Sequence, residues 1–164
     1  MPAYVAQHLE RFLYALQLVS KEVSYLQETQ KRLFREGPID VDWVQGLTAD
    51  DPVQDTLEAF ASRFGRLQDS LADKLLPRLA LLEGEKPGSA IDNLNRAERL
   101  GLISSTNGWL AMRALRNKLV HEYVEDPNEF ASALNQAASF VEELVDTYRL
   151  IRTRAEQRLD GDRG

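Results

Sequence analysis

Eight consecutive residues, RNKLVHEY, combine side chains that could form a chemical site. Arg116 is a permanent cation, Asn117 an amide and Tyr123 a phenol, and His121 is one of the chain's 2 histidines. With an unperturbed pKa of about 6.5, histidine exchanges protons near neutral pH, and arginine can hold two phosphate oxygens at once. These residue types suit proton transfer and the stabilisation of negative charge.

A purely electrostatic role for the same stretch remains open. Arg113, Arg116, Lys118 and His121 lie near the end of a predicted helix. Cations there complement the negative end of the helix dipole. Composition alone does not separate this role from a chemical site.

Helix geometry constrains how Arg116 could meet His121. On an ideal helix these residues are about 140° apart around the axis, whereas Asn117 and His121 share a face. The helix must therefore bend or end between Arg116 and His121, the arginine must reach round it, or a second chain must supply the partner. The sequence DPNEF that follows favours a break near His121, because it restarts a helix.

Apolar residues recur at alternating steps of three and four along most of the chain, which is typical of helices packed lengthwise. Three long seams run through residues 5–33, 53–82 and 130–151. The first predicts a helix over about residues 3–36 that ends at Gly37 and Pro38. A further helix carries RNKLVHEY, with Trp109, Met112 and Leu115 on its inner face.

Local signals mark several helix boundaries. Thr48 with Asp51, and Ser89 with Asp92, have the spacing of capping boxes. Pro77 is expected to kink the second long helix or divide it in two. Beyond these, Ser105 or Thr106 caps the helix that carries RNKLVHEY, and Asp126 starts the last helix.

These elements predict an all-α fold: an up-and-down bundle of four main helices plus a short helix. We expect a single domain over residues 1–164, with a frayed tail at residues 159–164. The long apolar seams could also pair between chains, so a dimer is expected, although the same seams would serve a monomer.

Composition narrows the function classes. The chain has 164 residues, no cysteine and a net charge of −6. We expect a cytoplasmic, soluble protein that makes no membrane contact, because neither a signal peptide nor a membrane-spanning apolar run is found. An acidic protein does not attract a polyanion through its overall field, so any contact with nucleic acid must depend on a local basic patch.

Other chemistry is sparse in the sequence. His8 stands alone on the first helix and is expected to be an ordinary surface or packing residue. Asp69, which follows Arg63 and Arg66, could line a cleft, but surface ion pairs along the helix are favoured. No spacing predicts a metal site, a phosphate loop or a cofactor.

The motif RNKLVHEY, preceded by W-x-x-M-R-x-L within predicted helices, resembles the R-x4-H-x-Y signature of the HEPN superfamily, particularly its HepT-like toxins. The similarity in architecture covers residues 3–145. The resemblance implies a homodimeric, metal-independent endoribonuclease toxin without a cofactor, whose two motifs face each other across a cleft. It also implies an antitoxin of the minimal nucleotidyltransferase (MNT) type, which silences the toxin by transferring AMP to Tyr123.

In this resemblance Arg116 and His121 form the catalytic pair, and Asn117 is the polar residue that follows the arginine. RNA carries its own nucleophile, the 2′-hydroxyl, so His121 would act as general acid or base and Arg116 as a phosphate clamp. Arg113 and Lys118 are auxiliary residues. Two alternatives stay open: a catalytically silent module that binds a nucleotidyltransferase, and a helical scaffold in which His121 caps a helix.

Overall fold

The computed structural model describes the backbone of residues 3–163 and the side chains of residues 6–120 and 125–161. Every regular element within these ranges is helical, which confirms the all-α class. The elements are α1 (Ala3–Leu33), α2 (Val41–Gln45), α3 (Val53–Asp69), a π-helix (Ser70–Leu75), α4 (Leu76–Leu82), α5 (Ala90–Arg99), α6 (Thr106–Glu125) and α7 (Pro127–Arg163).

The apolar seam of α1 is buried along the helix, with Phe12, Val19 and Leu26 fully inaccessible. α1 ends three residues earlier than predicted, and Gly37 follows with φ +98°, a left-handed conformation that favours glycine. The side chain of Gln30, the polar interruption of the seam, donates a hydrogen bond to the carbonyl of Ala138 on α7 at 3.1 Å. This contact ties the end of α1 to α7.

One predicted cap is wrong and one is confirmed. α3 begins at Val53, and the carboxylate of Asp51 accepts from the Val53 N–H at 3.0 Å, so Asp51 does not form the predicted box with Thr48. The chain turns once more through Pro52 before the helix starts, which moves Asp51 outside the first turn. Ser89 and Asp92 form the reciprocal capping box at the start of α5.

The disturbance predicted at Pro77, a kink or a division of the second long helix, takes the form of a π-helix just before the proline. Proline lacks an N–H, and its ring clashes with the carbonyl four residues earlier, here that of Asp73. The N–H of Leu76 instead reaches the carbonyl of Leu71, five residues back, in a wider turn. The π-helix therefore accommodates Pro77 without ending the helical path from α3 to α4.

The predicted break near His121 is wrong, because α6 continues to Glu125. Its start matches the prediction, since the Ser105 hydroxyl accepts from the Gly108 N–H at 2.8 Å. Asp126 starts α7 by accepting from two N–H groups of the first turn. α7 runs through residue 163, and the fraying expected at residues 159–164 stays a prediction.

The helices share one apolar core. α1 packs against α3, the π-helix, α4 and α7, while α6 packs against α3, α5 and α7. The largest fully buried side chains include Phe12, Phe60, Phe64 and Trp109. Within the described part of the chain, no helix is long and apolar enough to cross a membrane. The contact of α6 with α3 positions the motif arginine.

Candidate functional site

Arg116 of α6 forms a two-pronged ion pair with Asp69 at the end of α3. Its Nη1 donates to Asp69 Oδ1 at 2.7 Å, and its Nη2 donates to Oδ2 at 3.2 Å. The two side chains are 33% and 45% exposed, so the pair remains open to a ligand. This parallel geometry fixes the plane of the guanidinium and leaves other N–H donors available.

Gly65 makes room for this guanidinium. A Cβ at residue 65 would lie 2.6 Å from Nε of Arg116 and 2.8 Å from its Nη2. Glycine inside a helix costs about 1 kcal/mol relative to alanine, so its presence here needs a local reason. The close approach of the Arg116 side chain to the α3 backbone supplies that reason.

A cavity of about 570 Å³ opens beside the pair, between α3, α6 and the start of α7. Arg116, Asp69 and Arg66 contribute to its polar side, and Leu119 and Leu134 to its apolar side. The lining also includes Glu58, so two arginines and two carboxylates face an apolar wall, a combination of charged and apolar groups that is typical of ligand sites.

The other described motif side chains do not join Arg116 in the cavity. Asn117 is exposed on α6. Lys118 pairs with Glu129 at 3.3 Å on the surface, and Arg113 lies 3.4 Å from Asp73. The structure therefore brings Arg116 alone, of the residues 113, 116, 117 and 118, to the cavity wall.

The side chains of His121 and Tyr123 lie outside the described residues. Both positions belong to the unbroken helix α6. By helical spacing, position 121 shares a face with Leu110, Ala114 and Asn117, all of which are exposed. This face is distinct from the one that carries Arg116.

Sequence reasoning favoured the wrong partner for Asp69. Its ion pair crosses to α6 and is not made along α3, so the cleft alternative fits and the surface-pair interpretation is wrong. Arg63 instead contacts the Thr29 hydroxyl and lies over the Tyr25 ring, at 5.6 Å from its centroid. Sequence reasoning named Arg116 and Asp69 separately but missed Gly65, a glycine inside a helix four residues before Asp69.

A buried carboxylate contacts Ser70, the residue that follows Asp69. Glu22 of α1 is 9% exposed, and its Oε1 accepts from the Ser70 hydroxyl at 2.9 Å. Burial raises the pKa of Glu22, while the Ser70 hydrogen bond and the charges of Lys74 and Arg66 oppose the shift. The negative charge of Asp69 adds to the increase in this pKa.

Among the described side chains, no three histidines or carboxylates lie close enough to hold a metal ion. His8, the other histidine, is partly buried on α1. Comparison with known proteins gives no further identification: no family model, no curated protein and no solved structure matches this chain.

Proposed function

We propose that this protein is a metal-independent endoribonuclease of the HEPN type, acting as the toxin of a toxin–antitoxin pair. One observation carries the proposal. The arginine of the R-x4-H-x-Y motif is held by Asp69 at the wall of an open cavity of about 570 Å³. A solvent-facing arginine with a fixed plane is suited to hold a phosphodiester.

The proposed reaction uses the RNA's own 2′-hydroxyl. The 2′-oxygen forms a bond to phosphorus while the bond to the 5′-oxygen breaks, leaving a 2′,3′-cyclic phosphate and a 5′-hydroxyl. His121 takes the proton from the nucleophile or gives one to the leaving oxygen. Arg116 stabilises the charge on the phosphate oxygens, and Asn117 orients His121 or the substrate.

The course of α6 favours a homodimer for this chemistry. Of the three ways to unite Arg116 with His121, a break in the helix is removed because α6 continues to Glu125. Reaching round the helix is disfavoured, because the Arg116 guanidinium is engaged on α3. A second chain remains, and Leu110 and Ala114, exposed on the helix face of position 121 about two to three turns before it, offer an apolar surface for that chain.

The proposed function also involves an arrangement of the helices, a second copy of the chain and an antitoxin. We propose an up-and-down bundle, paired as a dimer, that acts in the cytoplasm on RNA. An MNT-type antitoxin would silence it by forming a bond between the Tyr123 oxygen and the phosphorus of AMP, with pyrophosphate leaving from ATP. The Tyr123 side chain lies outside the described residues, so this step depends on the motif alone.

The test is cleavage of a mixed RNA pool in EDTA by the wild type, His121→Ala and Arg116→Ala, all purified identically. We expect each variant to lose at least about 100-fold in rate, the usual loss when a proton-transfer group or a charge clamp is removed. Arg149→Ala is the matched control, since it removes an arginine exposed on α7. Product ends should be 2′,3′-cyclic phosphate or 3′-phosphate.

Two results would overturn the proposal. Equal cleavage by all four proteins would place the activity in another site or in a contaminant. If every protein were inert, and mass spectrometry found no nucleotide on Tyr123 of the wild type, a silent module that binds a nucleotidyltransferase would replace the ribonuclease.

A further inference from the structure

A second arginine–carboxylate cluster lies at the end of α4, away from the motif. Glu83 is only 8% exposed in its side chain and accepts from Nε of Arg154 at 3.0 and 3.1 Å. Arg96 of α5 lies 3.5 Å from the same carboxylate, and Arg158 lies 4.0 Å from it. Three guanidinium groups from two helices therefore converge on one carboxylate.

The cluster contains more arginines than its carboxylates can neutralise. It lines an open pocket of about 470 Å³ together with Arg99 and Glu85, so that four arginines face two glutamates. The whole chain carries a net charge of −6, which makes this local excess of positive charge unusual for the molecule. A basic patch of this kind is what an acidic protein needs in order to contact a polyanion.

The four arginines differ in their contacts, and this difference separates those that stabilise the fold from those that are free to bind a ligand. Arg154 alone satisfies both oxygens of Glu83, which is sufficient to tie α7 to α4. Arg158 is 42% exposed and lies at the limit of ion-pair distance. Arg99 is exposed, and no ion pair joins it to another described side chain. A simple tie between helices does not account for Arg99 and Arg158.

We propose that this arginine cluster, formed by Arg96, Arg99, Arg154 and Arg158, binds the phosphate backbone of an RNA strand. The choice of RNA as the source of phosphate rests on the proposed function. Glu83 holds Arg154 in place, and the other three arginines line the pocket. Guanidinium groups bind phosphate oxygens in pairs, which suits this site to phosphodiesters.

The position of the cluster fits a strand that also reaches the motif. Asp69 and Glu83 lie on one helical path through α3, the π-helix and α4. At 1.5 Å per residue, this path separates them by about 20 Å. A single RNA strand that spans this distance would place one phosphate at Arg116 while the arginine cluster holds a part of the strand a few nucleotides away.

The experiment measures binding of a fluorescent 12-nucleotide RNA with 2′-O-methyl groups, which the proposed reaction cannot cut. Fluorescence anisotropy at several salt concentrations would compare the full-length wild type with Arg99→Ala/Arg158→Ala. The matched control is Arg149→Ala/Arg152→Ala, which removes the same charge from other exposed positions of α7. Arg99→Ala alone is a second variant that disturbs no ion pair among the described residues.

We expect the double variant to bind about 10-fold more weakly near 0.1 M salt, with a salt slope smaller by about 1.4, or 0.7 for each lost phosphate contact. The control should keep the wild-type affinity and slope, and Arg99→Ala should lose about half of the slope difference. In cleavage of unmodified RNA, the double variant should show a KM raised by about the same factor, whereas the Arg149→Ala/Arg152→Ala control should keep the wild-type kcat and KM. Failure of the motif site would therefore appear in kcat, and failure of the arginine cluster in binding and KM.

Three outcomes would overturn the inference. The double variant could bind with the wild-type affinity and slope, or the control could lose as much as the double variant. Alternatively, inorganic phosphate or ATP at micromolar concentration could occupy the cluster without displacing the RNA, which would assign the site to a small ligand. Thermal unfolding of each variant identifies any loss of binding that comes from misfolding.

Discussion

Asp69 and Glu83 lie on one helical path but differ in exposure and in the number of arginines near their carboxylates. Asp69 pairs with a single arginine, and its side chain is 45% exposed at the edge of a cavity. Glu83 is 8% exposed, and three arginines lie within 4.0 Å of it. Asp69 therefore orients one partly exposed arginine, whereas the buried carboxylate of Glu83 is surrounded by several arginines.

The difference indicates which pair serves stability and which serves chemistry. An exposed ion pair contributes little to folding, typically about 0–1 kcal/mol, so the geometry of Asp69 with Arg116 matters mainly for where the guanidinium points. A buried carboxylate that loses its charge leaves uncompensated cations and costs much more. Substitutions at the two carboxylates should therefore separate the two roles.

The largest expected contrast is between Glu83→Gln and Asp69→Asn. Glu83→Gln should lower the free energy of unfolding by about 1–3 kcal/mol, less than for a fully buried pair because the arginines are partly exposed. Asp69→Asn should change stability by less than about 1 kcal/mol but slow RNA cleavage by about 10-fold, because Arg116 loses its fixed orientation. Urea unfolding and single-turnover cleavage measure the two effects.

The distinction between a structural Glu83 and an Asp69 that serves the reaction would be wrong if the two variants behaved alike. Equal losses of stability would mean that Asp69 is as structural as Glu83. A cleavage rate for Asp69→Asn equal to that of the wild type would mean that Arg116 does not need its partner. Because Asp69 acts through Arg116, its loss should lower kcat more than it raises KM.

The next prediction concerns Gly65, which leaves room for the guanidinium of Arg116. In Gly65→Ala, the new Cβ would displace the guanidinium, since it would lie 2.6 Å from Nε. The gain in helix propensity, about 1 kcal/mol, partly offsets the cost of overpacking, about 1–3 kcal/mol, so the free energy of unfolding should fall by no more than about 2 kcal/mol. Cleavage should fall by about 10-fold.

Gly161→Ala is the matched control for this substitution. Residue 161 also lies in a helix, and a Cβ there meets nothing within 4 Å. The control should leave cleavage at the wild-type rate. If Gly65→Ala also kept the wild-type rate, the close approach of Arg116 to α3 would not matter for the reaction.

The sequence predicted most of the fold because burial follows helical spacing. Phe60, Phe64 and Leu67 lie on the predicted seam and are fully buried. The start of α7 was predicted from Asp126, since its carboxylate has the required spacing to the first N–H groups. Local rules suffice for such features, because each depends on residues within one or two turns.

The candidate site was only partly predictable, because its key contact joins residues 47 positions apart. Spacing along α3 suggested Arg66 as the partner of Asp69, whereas packing of α3 on α6 supplied Arg116. The π-helix was equally hidden: Pro77 predicts a disturbance but does not determine whether the chain breaks or widens its turn. Long-range packing decides the partner of Asp69.

A third carboxylate, Glu22, is a buried acid that forms no ion pair with any arginine whose side chain the structure describes. Its raised pKa, caused first by burial, means that the folded state favours the protonated form. Its contribution to stability is therefore complete below the ordinary pKa of 4.5 and is lost as the pH rises through the raised value. Glu22→Gln keeps an acceptor for Ser70 but cannot ionise, so it should not show this loss.

The difference in melting temperature between Glu22→Gln and the wild type should thus increase in favour of the variant as the pH rises from 4.5 towards neutrality. Glu28→Gln, at an exposed position of α1, is the control and should follow the wild type throughout. A constant difference between Glu22→Gln and the wild type across this range would mean that Glu22 ionises equally easily in the folded and unfolded chains. In that case Ser70, Lys74 and Arg66 would fully offset the burial of Glu22, and the smallest of the three carboxylate effects would vanish.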